Sequence, residues 1–124
     1  MTHPTYSAAD VQSALSAVRA ECLVLPEVSE RLSHGSPAFF VRRKTTFVML
    51  LDNHHGDGRL ALWCAAPPGV QEDLVETEPE RFFRPPYVGH RGWLGVSLLD
   101  VEDQELHAIV REAYRTVAPK ALLA

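Results

Sequence analysis

Both ends of the chain carry apolar residues at helical spacing. Near the N-terminus the steps alternate between four and three, which places one stripe on the side of a predicted helix: Val11, Leu15, Val18, Cys22 and Leu25. Ser7 and Asp10 have capping-box spacing ahead of it, and Pro26 bounds it. Near the C-terminus a second helical stripe recurs: Leu106, Ile109, Val110, Ala113, Tyr114 and Val117. Asp100 or Asp103 is expected to cap that helix.

Between residues 28 and 64 the pattern becomes that of strands. Val28, Glu30 and Leu32 are compatible with a short edge strand. Residues 38–41 and 44–51 are rich in Phe, Val, Thr and Leu and predict a hairpin, although its turn has Arg42-Arg43 instead of the usual glycine. A second hairpin joins residues 47–51 to 60–64 through the glycine-rich turn 54–58.

The remainder predicts a short helix and one more strand. Val70, Leu74 and Val75 fit two helical turns that end at Pro79, and residues 93–99 alternate like a strand. The whole order predicts an α+β fold, an antiparallel sheet with the N- and C-terminal helices packed on one face and a short helix inserted before the last strand.

Composition suits one domain over residues 1–124, of which 1–6 are expected to be flexible. The chain is 46% hydrophobic and lacks any apolar run of the ~20 residues that span a bilayer. No secretory signal is visible, so we expect a cytoplasmic protein, with a monomer slightly favoured. The two cysteines, Cys22 and Cys64, lie in apolar patterns and are expected to be buried and reduced.

Charge is distributed unevenly along an acidic chain. The formal net charge is −4 and the pI about 5.8, which argues against nucleic-acid binding through the overall field of the protein. Residues 72–80 contain five acids and no base, whereas residues 81–91 contain three arginines and no acid. A local basic surface is therefore compatible with the acidic total.

Familiar catalytic and cofactor motifs are absent. The sequence has no phosphate-binding glycine loop, no dinucleotide fingerprint, no nucleophile elbow and no zinc-protease helix. Ser33, His34 and Ser36 have the chemistry of a turn and no spacing that indicates a base. Histidines and carboxylates also cluster in the second hairpin turn: Asp52, His54, His55 and Asp57. We expect this turn to be solvated, with the two histidine side chains pointing apart. No catalytic residue, metal or cofactor is predicted.

Two elements are candidates for binding. Arg42, Arg43 and Lys44 form the densest basic run, which suits either a wing that contacts phosphates or a charged tip that keeps a hairpin soluble. The segment 81–93 concentrates arginines and aromatic residues around two prolines and two glycines. Arginine beside an aromatic ring suits stacking on bases or planar anions.

Within this segment two interpretations compete. Phe82, Phe83 and Trp93 are expected to fill the core, with the arginines free to pair with the acids of 72–80. The residues predicted to contact a partner are Arg81, Arg84, Tyr87, His90 and Arg91.

Several runs resemble the MmcQ/YjbR family. They are residues 26–30, 34–47, 68–71, 81–87, 90–96 and 112–120, of which Gly35-Ser36-Pro37, Trp93 and Ala113-Tyr114 are the most specific. Arg43 departs from the pattern, since glycine is expected at the hairpin turn in many relatives. The resemblance implies a compact fold similar to frataxin-like and double-wing domains, and a DNA-binding role that rests on that likeness.

The function expected from these observations is non-enzymatic binding, with DNA as the leading partner. Arg42, Arg43 and Lys44 would contact phosphates, and the partner residues of 81–93 would add cations and stacking groups. An alternative is a protein- or small-ligand-binding domain in which 81–93 forms a pocket wall, and a further one is an unrecognised enzyme.

Overall fold

The structure is a computed structural model that describes residues 5–123. Within these residues three α-helices and six strands follow one another. The helices are α1 (Ala8–Cys22), α2 (Val70–Thr77) and α3 (Asp103–Val117). The strands are β1 (Val28–Ser33), β2 (Ser36–Val41), β3 (Thr45–Asp52), β4 (Leu60–Cys64), β5 (Phe82–Phe83) and β6 (Leu94–Ser97).

All six strands form one antiparallel sheet in the order β1-β2-β3-β4-β6-β5. Helices α1 and α3 contact each other and β3, while α2 contacts β5 at the sheet edge. The predicted α+β fold, with the terminal helices on one face and a short helix before the last strands, is confirmed. The edge position predicted for β1 is confirmed as well. None of the helices described between residues 5 and 123 has the length and apolarity needed to cross a membrane.

The N-terminal caps of α1 and α3 were both predicted from the sequence, the first correctly and the second wrongly. At α1 the predicted capping box forms, because Ser7 Oγ accepts from the Asp10 N–H at 3.1 Å and Asp10 Oδ2 accepts from the Ser7 N–H at 2.8 Å. At α3 the cap is Glu102, whose side chain makes no capping bond, so the prediction of Asp100 or Asp103 is wrong. Asp103 is the first helical residue, where a carboxylate is stabilised by the helix dipole.

The strand register separates two faces of the sheet. Phe39, Val48, Cys64 and Leu94 are successive partners, and they point toward α1 and α3. A β-bulge inserts Phe47 into β3, and its ring meets that of Tyr114 on α3 at 5.7 Å. We call this surface the helix face.

The opposite surface, the loop face, is covered by loops and arginine side chains. Across the sheet its successive partners are Arg31, Ala38, Met49, Trp63, Gly95 and Phe83. The ring of Phe83 lies over Gly95, where an added Cβ would come within 2.5 Å of it. The residue at position 95 must therefore be small for β5 to close the sheet.

The core predictions for segment 81–93 are largely correct. Phe82 is 3% exposed and Trp93 4%, whereas Phe83 is only half-buried. Pairing of Phe82 and Phe83 with β6 as a strand was not predicted from the sequence. The prediction of buried, reduced cysteines is confirmed, since Cys22 and Cys64 are both free and buried. Burial raises the pKa of the Cys64 thiol to about 12.

Tyr6, the last residue of the segment expected to be flexible, is packed against the second hairpin. This side chain is 8% exposed, and its hydroxyl donates to Asp52 Oδ1 at 2.6 Å and lies 3.1 Å from the Arg59 carbonyl oxygen. A buried phenol with a carboxylate partner ties the chain before α1 to the second hairpin. Residues 1–4 lie outside the described part of the chain.

Candidate functional site

The predicted basic tip between β2 and β3 is a strained two-residue turn. The Lys44 N–H donates to the Val41 carbonyl at 3.0 Å, and Arg42 and Arg43 both have positive φ, 54° and 59°. A type I′ turn requires this conformation at both central positions and normally uses Asn and Gly there. For a residue with a side chain, the left-handed region costs about 1–2 kcal/mol. The tip therefore places two arginines where glycine would be more stable.

Neighbouring residues hold this tip through backbone and side-chain bonds. The Arg42 N–H donates to the Glu27 carbonyl at 2.9 Å, and Arg42 Nε lies 3.3 Å from Glu27 Oε1. Arg31 Nη1 donates to the Arg43 carbonyl at 2.8 Å. Within residues 5–123 the side chains of Arg43 and Lys44 form no ion pair and are exposed. Two of the three predicted tip cations thus remain available to a partner.

Two arginines that the sequence analysis missed rest on aromatic rings of the loop face. The Arg31 guanidinium carbon lies 3.6 Å from the ring centroid of Phe40, and that of Arg59 lies 3.8 Å from Phe83. Neither guanidinium has an ion-pair partner among the described residues. The register of β1 against β2 places Arg31 diagonally opposite Phe40. A correct prediction of that register would have identified the Arg31–Phe40 contact from the sequence. For Arg59 the sequence carries no comparable signal, because β5 was not predicted.

The predicted contact residues of 81–93 separate into two groups. Arg81 donates to Glu78 Oε1 at 2.7 Å and also to Glu105, so two carboxylates neutralise it. The bond to Glu105 raises the pKa of Arg81 well above its usual range. Its pairing with an acid of the 72–80 run is the structural alternative that the sequence analysis left open. Arg81 does not offer a free charge.

Arg84, Tyr87, His90 and Arg91 are exposed in the segment between β5 and β6. No ion pair involving Arg84 or Arg91 occurs in the described chain, and Arg91 lies 5.2 Å from the ring centroid of Trp93. A Cβ at Gly89 would come within 2.6 Å of Arg84 Cγ, so the glycine lets the arginine side chain cross the loop. These side chains therefore point outward from a closely packed segment.

Buried residues hold the backbone of the segment between β5 and β6 in place. Gln71 of α2 is 3% exposed, and its amide donates to the carbonyls of Gly89, at 2.8 Å, and Trp93. Pro85 is fully buried. A buried amide that satisfies two loop carbonyls fixes the path of the chain between them. The exposed residues of the segment consequently stand on a positioned backbone.

The histidine-rich turn packs against the same segment. The ring centroids of His54 and His55 are 4.1 Å apart, and His54 meets Trp63 at 4.9 Å and Tyr87 at 6.0 Å, edge to face. His55 lies 6.4 Å from Tyr87. The interpretation of a solvated turn with rings pointing apart is therefore wrong for His54, which is half-buried. Desolvation, and then the neighbouring His55, lower the pKa of His54.

Among the described residues, no group of three or more His, Cys, Asp or Glu side chains is arranged to hold a metal ion. Two cavities of about 240 and 300 Å³ lie elsewhere, one lined by α1, α3 and residues 98–101, the other by β4, α2 and α3. No residue from 81–93 lines either of them.

Acidic residues are concentrated away from the loop face. The strands contain only Glu30 and Asp52, which accept from Arg19 and Tyr6 respectively, and the register places neither on the loop face. Most of the others lie on the helices: Asp10, Glu21, Glu72, Asp73, Glu76, Asp103, Glu105 and Glu112. The strand positions of the loop face therefore carry no acid, although Asp57 lies in the turn between β3 and β4 beside Arg59.

Comparison with known proteins agrees with this architecture. A solved structure of Deinococcus radiodurans protein DR2400, described as a DUF419 domain, superposes with a TM-score of 0.70 at 19% sequence identity, covering 86% of this chain and 80% of that one. At this identity the likeness shows the fold. No curated protein matches the chain. The YjbR family model matches residues 23–116, which include the strained tip, the loop-face strands and most of α3. The chain therefore belongs to the YjbR family.

Proposed function

We propose that this small binding domain binds nucleic acid, and that its contact surface combines the loop face with the β2–β3 tip. The observation that carries the proposal is the set of arginines stacked on aromatic rings of the loop face without acidic partners. Arg31 over Phe40 and Arg59 over Phe83 are the two closest pairs, at 3.6 and 3.8 Å.

Stacking prepares a guanidinium for an anion. A ring below the plane supports the cation and holds its orientation, while the N–H donors that the protein does not use can bind phosphate oxygens. Arg31 Nη1 donates to the Arg43 carbonyl, which leaves the other N–H donors of that guanidinium for a phosphate. Since guanidinium is weakly hydrated, little hydration is lost when the phosphate arrives. Arg31, Arg59 and Arg91 each lie over a ring in this way, so the surface presents several preoriented cations.

The strained tip adds a second argument. Arg43 adopts φ 59° without being glycine, and its side chain makes no ion pair in the described chain. Local strain that the fold tolerates is most often associated with a functional requirement. Contact between this guanidinium, the neighbouring Lys44 and phosphates would supply that requirement, as the double-wing likeness of the family implies.

A pocket walled by residues 81–93 is the alternative function. It predicts a concave, partly apolar site beside Trp93. Both cavities described above are lined by other residues, and the exposed groups of the segment are cations and a tyrosine. The exposed cations of the segment favour a surface for an extended anion over a pocket for a small molecule.

Fluorescence anisotropy with a labelled 20-base-pair duplex tests the proposal. At low salt we expect binding at tens of micromolar protein or below, with an affinity that falls steeply as salt is added, because each phosphate contact contributes roughly 0.9 to the slope of log K against log salt. The double variant Arg31→Gln/Arg59→Gln should weaken binding roughly tenfold and reduce that slope by about 2.

The matched control is Arg115→Gln/Lys120→Gln, which removes two exposed cations on and just after α3. It lowers the net charge by the same amount but should leave the affinity within about twofold if contact is confined to the loop face. Equal losses in the two double variants would contradict the proposal, as would failure of the wild-type protein to bind both this duplex and a single strand of the same length.

A further inference from the structure

Three of the seven non-glycine residues with positive φ in the described chain are Tyr87 and two residues of the turn that packs beside it. Tyr87 is 69% exposed and has φ 66°. In the turn between β3 and β4, whose His54 and His55 rings lie beside Tyr87, Asn53 and His55 have φ 54° and 51°. Asparagine tolerates this region, but tyrosine and histidine adopt it at a cost. The backbone thus has unfavourable conformations both at Tyr87 and in the turn beside it.

A rigid base supports this ring. His54 lies edge to face between Trp63 and Tyr87, with centroid separations of 4.9 and 6.0 Å. Trp63 is 3% exposed and sits in the middle of the sheet, paired with Met49 on β3 and Gly95 on β6. The exposed ring of Tyr87 is therefore connected through His54 to a buried residue in the middle of the sheet. We call Tyr87, His54, His55 and Trp63 the aromatic cluster.

Three arginines lie close in sequence to residues of the aromatic cluster, as does Asp57, whose carboxylate accepts from the Arg59 backbone N–H at 2.9 Å. Arg59 closes the turn that carries both histidines, and Arg84 and Arg91 flank Tyr87 in its own segment. None of the three forms an ion pair within residues 5–123. An exposed ring among unpaired arginines is the arrangement by which proteins hold single strands, since the ring stacks on a base while the cations follow the backbone.

We infer that the aromatic cluster is a stacking platform for an unpaired base, and that single-stranded nucleic acid is the preferred substrate class of the loop face. The inference rests on the proposed function, because it names which nucleic acid that surface takes. In a duplex each base face is covered by its neighbours, so Tyr87 gains a partner only from a base that is free to leave the stack. Stacking is tolerant of sequence, since every base has an aromatic face.

Three anionic probes of equal length separate stacking from phosphate contact: a single-stranded thymidine 12-mer, a 12-base-pair duplex, and a 12-mer of abasic sites. The first and third share a single-stranded phosphate backbone and differ in the presence of bases. We expect the thymidine 12-mer to bind roughly five- to hundred-fold more tightly than the abasic one, the range that one stacked base contributes.

Substitution of Tyr87 locates the effect. Tyr87→Ala should lower the affinity for the thymidine 12-mer to that for the abasic one, while the affinity for the duplex changes less than twofold. Tyr87→Phe keeps the ring and should bind like the wild type. Because the side chain is exposed, neither variant removes a core contact.

The outcomes distinguish the two proposals. Equal affinity for the thymidine and abasic 12-mers, or an unaffected Tyr87→Ala variant, would overturn the stacking platform while leaving phosphate binding by the arginines in place. Failure of all three probes to bind would overturn the proposed function, and the platform with it.

Discussion

Arginines on the two sides of the sheet have different kinds of neighbour. On the helix side, cations meet carboxylates: Arg19 donates to both oxygens of Glu30 at 2.7 and 2.8 Å, and Arg115 pairs with Glu112 at 2.7 Å. On the loop face, cations meet rings instead, as Arg31 does on Phe40. A cation paired with a carboxylate has its charge compensated within the protein, whereas one resting on a ring keeps an uncompensated charge.

Phe39 and Phe40 show how little sequence separates the two environments. They are consecutive residues on β2 with 0% and 5% exposure, so burial alone does not distinguish them. Phe39 pairs with Val48 on the helix face, whereas Phe40 lies beneath the Arg31 guanidinium on the loop face. One is enclosed by apolar groups and the other by the side chain of a cation.

The largest expected effect comes from truncating this pair. Phe39→Ala should lower the free energy of unfolding by about 3–5 kcal/mol, because the helix face cannot collapse around the cavity. Phe40→Ala should cost about 1–3 kcal/mol, since Arg31 can move and water can enter. Urea unfolding followed by circular dichroism measures both. Equal losses of stability in the two variants would mean that Phe39 and Phe40 are packed alike, which would contradict the difference between the two faces.

The next largest effect on stability is expected from substitution of Gly95, which lies on the loop face. Gly95→Ala places a Cβ within 2.5 Å of the Phe83 ring, which must move and carry Arg59 with it. Overpacking of this kind costs about 1–3 kcal/mol. The same substitution should weaken nucleic-acid binding, because the ring that supports Arg59 is displaced. Thermal unfolding together with the duplex titration checks both parts, and normal stability would show that Phe83 has room to shift.

The fold could be predicted because its signals are local. Apolar spacing of four and three in α1, and the alternation and turns between residues 28 and 64, each depend on neighbours in sequence. The two-residue strand β5 could not be predicted, because Phe82 and Phe83 become a strand only when β6 is beside them. The cap of α3 was wrong for a related reason, since competing acids at 100, 102 and 103 are chemically similar candidates.

The candidate site was predictable only in part. The density of arginines and aromatic residues in 81–93 is visible in the sequence, and so is the basic tip. Pairing of Arg81 with Glu105 joins residues far apart in the chain, as does packing of His54 between Trp63 and Tyr87. Such contacts depend on tertiary structure, so composition could neither remove Arg81 from the candidates nor add Arg31 and Arg59.

A smaller effect is expected at the tip, with opposite signs for stability and binding. Arg43→Gly relieves the positive φ of 59° and should raise the free energy of unfolding by about 1 kcal/mol, while the loss of the guanidinium weakens duplex binding. Arg43→Ala is the matched control, because it removes the same charge but keeps a Cβ in the left-handed region. Chemical denaturation should therefore show that Arg43→Gly is more stable than Arg43→Ala, although the two variants bind the duplex equally weakly. Equal stability of the two variants would show that the turn is not strained.

The smallest expected effect concerns Arg81, the one arginine of its segment that behaves like those of the helix side. Its bond to Glu105 lowers the pKa of that carboxyl below the ordinary 4.5, so the ionised pair stabilises the folded state above that pH and the contribution is lost as the pH falls through the lowered value. Arg81→Gln should thus be less stable than the wild type at neutral pH, and the difference should close in acid. Arg84→Gln removes an unpaired arginine of the same segment and should show no such pH dependence. Urea unfolding between pH 3 and 7 compares the three proteins, and a gap for Arg81→Gln that persists unchanged at pH 3 would mean that its side chain acts by packing on Phe82 instead of by charge.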